Sequence, residues 1–339
     1  MADKGKLPGP IGSTLKAAGL LFVFALAAAV LANWVSPDRK AAGGDAFYGM
    51  VVGPQVDVDR AIPKLGALGV NTVRLRMDVR DWGRPQANTG ATAYDGALEQ
   101  APRLEKQGFR VVLQVSSEGG AMPSYGRAKA LFEWLVRRSG AGSVDVVEVL
   151  GPLTDRAANA DAFSTTLTRS QQARRYVDGP LRAADEVFHR ARKKVLGGAF
   201  TPWQQVRDLS TAGGWTLAVT KAYVDAGYLD RVDYAGFHPD QPTAAAQQLW
   251  VRRAAALFGR TPIWVSEWQL TRSAFPDDGS YVDAMGSAAA GLRDSGSVGS
   301  ACYAGFTQDE GVVPVTQGGL GGYREDDPAF RAYRSWPKR

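Results

Sequence analysis

Cysteine is nearly missing from this chain. Cys302 is the only one in 339 residues, which excludes an intrachain disulfide and any cysteine-built metal site. Histidine is almost as scarce: His189 and His238 are the only two, too far apart to form a metal-ligand pair, so no metal is expected. The chain also has no Walker loop and no Gly-x-Gly-x-x-Gly turn between a strand and a helix, so no cofactor is expected either. No Lys/Arg-dense block interleaved with aromatics occurs, which argues against nucleic acid as a partner despite a net charge of +6 and a pI near 9.4. A basic exterior of that size suits an acidic polysaccharide or an anionic membrane face.

What is present is ordinary globular material, 45% hydrophobic and 22% charged, enough for a full core. It is preceded by a segment of different character. Residues 1–16 carry Lys4, Lys6 and Lys16, and an apolar run follows over 17–35, broken only by Asn33. That length fits a signal peptide or a short membrane anchor. Val30-Leu31-Ala32 would serve as a cleavage site, and Trp34 would suit a membrane interface. The run is long for a signal core, which favours an uncleaved anchor. Both outcomes place the rest of the chain in the periplasm or outside the cell, with residues 36–45 as a tether.

From residue 46 to 339, strand and helix patterns alternate without a domain-sized break. Apolar strand-like runs fall at 47–52, 72–76, 110–115, 144–150, 195–200, 232–237, 262–266 and 298–303. Helical spacing fills the intervals, with a break expected at Gly179-Pro180. Repeated βα units require a parallel sheet, because each crossover needs a helix. Eight such units predict an α/β fold of the (β/α)8 TIM-barrel type, preceded by the N-terminal hydrophobic segment.

In such barrels the chemistry sits at the C-terminal strand ends and the loops after them. The most informative stretch is Thr261-Pro-Ile-Trp-Val-Ser-Glu-Trp268, a buried strand that delivers one carboxylate, Glu267, beside an aromatic ring. Other strand ends supply Arg74, Glu118, His238, Asp240 and Gln308, and Trp82, Trp203 and Trp268 add aromatic surface. Aromatic faces beside hydrogen-bonding groups suit a carbohydrate cleft, with these tryptophans and Glu118, Asp240 and Gln308 as substrate contacts. Each also has a plainer reading: Arg74 as the partner of a barrel carboxylate, His238 as a satisfied core histidine, the tryptophans as packing residues under loops.

The order of these segments resembles clan A glycoside hydrolases, particularly family 39 β-xylosidase-like and exopolysaccharide-associated enzymes. The likeness is carried by Asn71-Thr-Val-Arg-Leu-Arg76, Val195-Leu-Gly-Gly-Ala-Phe200, Tyr234-Ala-Gly-Phe-His-Pro239, Pro262-Ile-Trp-Val-Ser-Glu-Trp268 and the tail from Gly318 to Tyr333. It implies that Glu267 is a nucleophile, that Arg74 keeps it ionised and that His238 lies near the sugar. One departure matters more. The resemblance implies a general acid/base in an Asn-Glu-Pro motif ending strand four, where this chain reads Val147-Glu-Val-Leu-Gly-Pro-Leu153. Aligned on Glu148-Val149, the Asn-Glu pair becomes Gly151-Pro152, and proline has no proton to give.

Retaining hydrolysis needs two carboxyl groups about 5–5.5 Å apart. Asp155, three residues past Pro152, is the first candidate to replace the lost acid; Glu118, Asp240 and Asp309 are others. Two readings therefore stand: an extracytoplasmic hydrolase of O-glycosidic bonds with a relocated or absent acid, or a catalytically silent glycan-binding barrel that assists polysaccharide assembly or export.

Overall fold

The alternation read from the sequence closes into eight parallel strands. This computed structural model describes residues 47–53, 56–79, 82, 92–155, 159–162, 164–202, 209–306 and 327–336; the N-terminal basic, apolar and tether segments lie outside them. The strands are β1 (Tyr48–Val52), β2 (Thr72–Val79), β3 (Arg110–Ser117), β4 (Val146–Val149), β5 (Lys194–Gly197), β6 (Ala235–Gly236), β7 (Ile263–Trp268) and β8 (Val298–Phe306). Their order is β5-β4-β3-β2-β1-β8-β7-β6, so β1 pairs with both β2 and β8. The remaining seam between β5 and β6 is joined by two parallel bridges, Leu196 to Tyr234 and Phe200 to Phe237. The result is a nearly closed (β/α)8 barrel.

Helices cover the outside, and several starts are written in the sequence. Asp57, Thr243, Asp277 and Asp327 cap α1 (Val58–Ala67), α7 (Ala244–Phe258), α8 (Asp278–Asp294) and α9 (Pro328–Ser335) by accepting first-turn N–H groups. The remaining described helices are α2 (Thr92–Lys106), α3 (Tyr125–Leu135), α4 (Arg169–Tyr176), α5 (Arg182–Arg190) and α6 (Leu209–Asp225). The break expected at Gly179-Pro180 is present: Val177–Leu181 forms a wide turn between α4 and α5, because Pro180 has no N–H to continue the ladder. Among the described residues no helix is long and apolar enough to cross a membrane, and no cluster of His, Cys, Asp and Glu could hold a metal.

β6 is shorter than its sequence pattern suggests. Here two backbones approach closely, and a Cβ on Gly236 would collide with the Gly197 carbonyl. The seam therefore relies on a few single bonds, among them Gly197 N–H to Tyr234 O at 3.1 Å and His238 N–H to Phe200 O at 3.0 Å.

The lumen has a dry floor. Val112 of β3, Val146 of β4, Leu196 of β5 and Trp264 of β7 form an apolar cluster separate from the main core, with Tyr234 packed against it. Strands β4 and β7 are not neighbours in the sheet, so these side chains meet through the barrel interior. Trp264 stacks on Tyr234 with centroids 4.4 Å apart. Two residues further along β3 and β4 the lumen turns polar, at Gln114 and Glu148, which are in register with each other.

Candidate active site

Strand β7 carries an irregularity where the chemistry collects. Val265 pairs with Ala301 and Trp268 with Tyr303, so three steps on β7 face two on β8. This extra residue interrupts strict alternation, and consecutive residues can serve one region of the barrel. Both Ser266 and Glu267 accordingly join the same polar cluster inside it, together with Arg74, Glu148 and His238.

Arg74 is the hub. Its Nε donates to Glu148 Oε2 at 2.6 Å, and its Nη1 donates to Glu267 Oε2 at 3.0 Å. One guanidinium thus joins strands β2, β4 and β7 across the lumen. Arg74 and Glu148 are fully buried, whereas the Glu267 side chain keeps about a third of its surface open, at 35%. Arg74 Nη2 is buried and has no hydrogen-bond partner among the described residues.

A second chain of bonds runs into Glu148. Ser266 Oγ donates to Glu148 Oε1 at 3.0 Å, and His238 Nε2 lies 2.8 Å from Ser266 Oγ. A hydroxyl has one proton, so with that proton on Glu148, Ser266 must accept from His238; His238 then carries its hydrogen on Nε2. Glu148 is the residue that sequence reasoning passed over except as an alignment marker. The available signal was its parity: it sits two residues after Val146 in a strand that is otherwise valine, which puts a carboxylate on the lumen side of a buried strand.

The electrostatics separate the carboxyl groups. Burial works against ionising Glu267, but Arg74, and then His238 and Arg76, outweigh it and hold the carboxyl below its ordinary value. Burial lowers the pKa of His238, only partly offset by the neighbouring carboxylates. Asp240 moves the other way: burial and the charge of Glu267 push it up to about 8, although the Gln269 N–H pulls against the rise. An ionised and a protonated carboxyl thus stand in one electrostatic neighbourhood. Burial also pushes the Cys302 thiol up to about 12, so it remains a thiol.

A cleft of about 340 Å³ opens above this network. Its lining includes Arg74 and Arg76 of β2, Gln114 of β3, Pro152 and Asp155 after β4, and Glu267. Leu150, a buried non-glycine residue with φ of 73°, turns the chain out of β4 immediately before Gly151-Pro152. A left-handed conformation is unfavourable for leucine and persists only where the surroundings impose it; strain of this kind gathers at functional sites.

Of the residues singled out in the sequence, Arg74, Glu267 and Asp155 share the cleft, with Asp155 exposed on its rim. His238 and Asp240 belong to the surrounding network without lining the cleft. Trp82 and Trp268 are buried: Trp82 donates Nε1–H to the Ala121 carbonyl at 2.8 Å and meets Phe132 edge-on, while Trp268 meets Tyr303 edge-on. Neither ring lines the cleft, because both are held by packing. Trp203, Gln308 and Asp309 lie outside the described residues, as does the side chain of Glu118.

No family model matches this chain, and no curated protein matches it by sequence. Solved structures do match by shape. An endo-1,4-β-D-mannanase from Thermotoga petrophila superposes with a TM-score of 0.58 at 12% identity, covering 85% of this chain and 98% of that one. A family 39 glycoside hydrolase from Bacteroides cellulosilyticus gives a TM-score of 0.58 at 13% identity, over 86% of this chain and 63% of its own. A family 1 β-glucosidase from Exiguobacterium antarcticum gives 0.57 at 11%, over 86% and 96%. These neighbours are clan A glycoside hydrolases with parallel (β/α)8 barrels, and at such identities the likeness is one of fold. It does not single out family 39.

Proposed function

We propose that this protein is a retaining glycoside hydrolase acting on O-glycosidic bonds of an oligosaccharide or polysaccharide, with Glu267 as its nucleophile. The observation that carries this reading is Glu267 itself. It stands at the mouth of a lumen otherwise paired and buried, partly open to the cleft, and is held ionised chiefly by Arg74. A carboxylate oxygen so placed attacks the anomeric carbon, and the glycosidic C–O bond breaks as a glycosyl ester forms. Asp155, on the same cleft and from the loop that should supply the acid, gives its proton to the departing oxygen and then takes one from the water that cleaves the ester. His238 acts at one remove, through Ser266 and Glu148, on the arginine that holds the nucleophile. The apolar run over residues 17–35 anchors the barrel on the extracytoplasmic side of a membrane.

The second reading, a glycan-binding barrel without turnover, is favoured by Pro152, which lines the cleft where the resemblance implies an acid. One experiment separates the two. Activated aryl 2-deoxy-2-fluoroglycosides carry leaving groups that depart without protonation, so they report on the nucleophile alone. Intact-mass analysis of the full-length protein should show one adduct, located on Glu267 and absent from Glu267→Gln. Lack of an adduct across the panel, with glycan binding retained, would replace the hydrolase by the binder. Asp155→Ala should leave this labelling intact while lowering turnover of unactivated glycosides by about 10²–10⁴-fold.

A further inference from the structure

The cleft holds more hydrogen-bond donors than the network beneath it uses. Arg76 lies two residues beyond Arg74 and lines the same cleft, with half of its side chain exposed. Its Nε donates to Asp78 Oδ1 at 2.9 Å, and the same oxygen accepts from Ser116 Oγ at 2.7 Å. That grip fixes one edge of the guanidinium. The two Nη groups of Arg76 meet no acceptor among the described residues.

Gln114 stands beside it. The two residues are register partners across β2 and β3, and Gln114 also lines the cleft. It is 4% exposed, yet its amide makes no hydrogen bond among the described residues. Arg74 Nη2 is a third donor, buried without a partner among the described residues. Buried polar groups are satisfied in the great majority of cases, and of these donors only Arg74 Nη2 is buried outright; the Arg76 and Gln114 donors face the cleft, where a ligand can meet them. Of the acceptors nearby, Glu148 is engaged at both oxygens by Arg74 and Ser266, Glu267 at Oε2 by Arg74, and Asp78 at Oδ1 by Arg76 and Ser116.

We propose that Arg76, with Gln114 beside it, forms an anion subsite, and that the glycan this cleft takes carries a negatively charged substituent such as a uronic acid carboxylate or a sulfate ester. The inference rests on the carbohydrate reading of the cleft given above. An arginine fork held along one edge presents its remaining N–H groups in a fixed plane, the geometry that matches two oxygens of an anion. Recognition is local and directed, since the fixed charges of the cleft (Arg74 and Arg76 against Glu148, Glu267, Asp78 and Asp155) do not by themselves attract an anion. This distinguishes the subsite from the general affinity of a protein with net charge +6 for polyanions, which salt screens.

The test is calorimetric titration of the full-length protein with paired oligosaccharides: neutral hexose oligomers, their uronate counterparts and their 6-sulfated counterparts, each at 0.1 and about 0.5 M salt. At least one anionic oligomer should bind about 10–100-fold tighter than its neutral partner, and most of that preference should survive high salt. The uronate and sulfate arms identify which anion it is. Arg76→Gln should abolish the preference, and Arg76→Lys, which keeps the charge without the fork, should fall between; matched melting temperatures will verify that both variants are folded. Equal binding of neutral and anionic oligomers, a preference that vanishes with salt, or one that survives Arg76→Gln would overturn the subsite. So would no binding by any anionic oligomer. A Glu267 adduct formed with neutral fluoroglycosides, alongside any of these failures, would leave the hydrolase reading standing while the anion subsite falls.

Discussion

The floor of the lumen and the polar network follow opposite rules, although on β4 they are only two residues apart, at Val146 and Glu148. At the floor, Val112, Val146, Leu196 and Trp264 pack without a charged group among them. In the polar network, Glu148 and Arg74 are as deeply buried as the valines and form an ion pair. Isolated charges at that depth would cost several kcal/mol each. What permits them is mutual satisfaction: one guanidinium shared by two carboxylates, one carboxylate shared by an arginine and a serine. The floor closes the barrel and would stand without a ligand. The polar network instead keeps Glu267, at its open edge, below its ordinary carboxylate value, chiefly through Arg74.

The largest effect should come from breaking this division of labour. Val146→Glu places a carboxylate in the apolar floor cluster, where the Arg110 guanidinium over Trp264 is the cation that could answer it. It should leave the protein unfolded or molten at pH 7, by loss of near-UV circular dichroism, and a folded variant of wild-type stability would show that depth alone does not set the rule. Next is Arg74→Met, which leaves two carboxylates facing each other. A loss of about 3–5 kcal/mol in denaturant unfolding is expected at neutral pH. Burial raises the Glu267 carboxyl and Arg74 is the largest influence that lowers it, so without the cation the stability loss should be smaller near pH 4 than at pH 7.

Glu148→Gln sharpens the comparison without emptying the site. Removing one of the two charges that share Arg74 leaves more positive potential at Glu267, and the acid limb of Glu267 labelling should move to lower pH. An unmoved limb would mean that the two carboxylates are not coupled through the arginine. Asp240 offers a gentler case. Its folded value of about 8 exceeds the ordinary aspartate value of about 3.9, so the stability linked to its protonated form is complete below about 3.9 and is lost as pH climbs to 8. Asp240→Asn should flatten that slope and raise the melting temperature at pH 7 by a few degrees.

The smallest effect should come from charges in water. His189 lies 2.8 Å from both Asp185 and Asp233, but 39% of its side chain is exposed. Burial opposes its charge, and the two aspartates outweigh burial, so its pKa is raised; that contribution is full below about 6.5 and is lost as pH rises past the folded value. For Asp233 burial opposes ionisation, while Lys194, the Val195 N–H and His189 outweigh it and lower the value; its share is present above about 3.9 and lost in acid. The latch should be strongest between these limits, and His189→Gln should cost under about 1 kcal/mol there in denaturant titrations.

Much of the barrel was legible in the chain. The eight apolar runs and the break at Pro180 are local signals, set by side-chain parity and a missing N–H. β6 was read too long because its limit is set from outside, by the close passage of the Gly197 and Gly236 backbones. Glu267 and Arg74 were legible as single residues at strand ends, but Glu148 was not, since nothing in one strand reveals which partner crosses a lumen to meet it. The tryptophans show the same limit: composition marks an aromatic ring, whereas packing against Phe132 or Tyr303 decides whether it is available.

The sequence by itself determined the order of elements and the strands on which Arg74 and Glu267 sit, because these depend on periodicity and on residues near one another in the chain. Only the tertiary structure decided that Arg74 serves two carboxylates, that Ser266 and Glu267 join one cluster through an irregular step in β7, and that Arg76 and Gln114 stand in register with idle donors. Those outcomes depend on contacts between strands separated by dozens of residues, where strand tilt, register and depth of burial decide which charges meet.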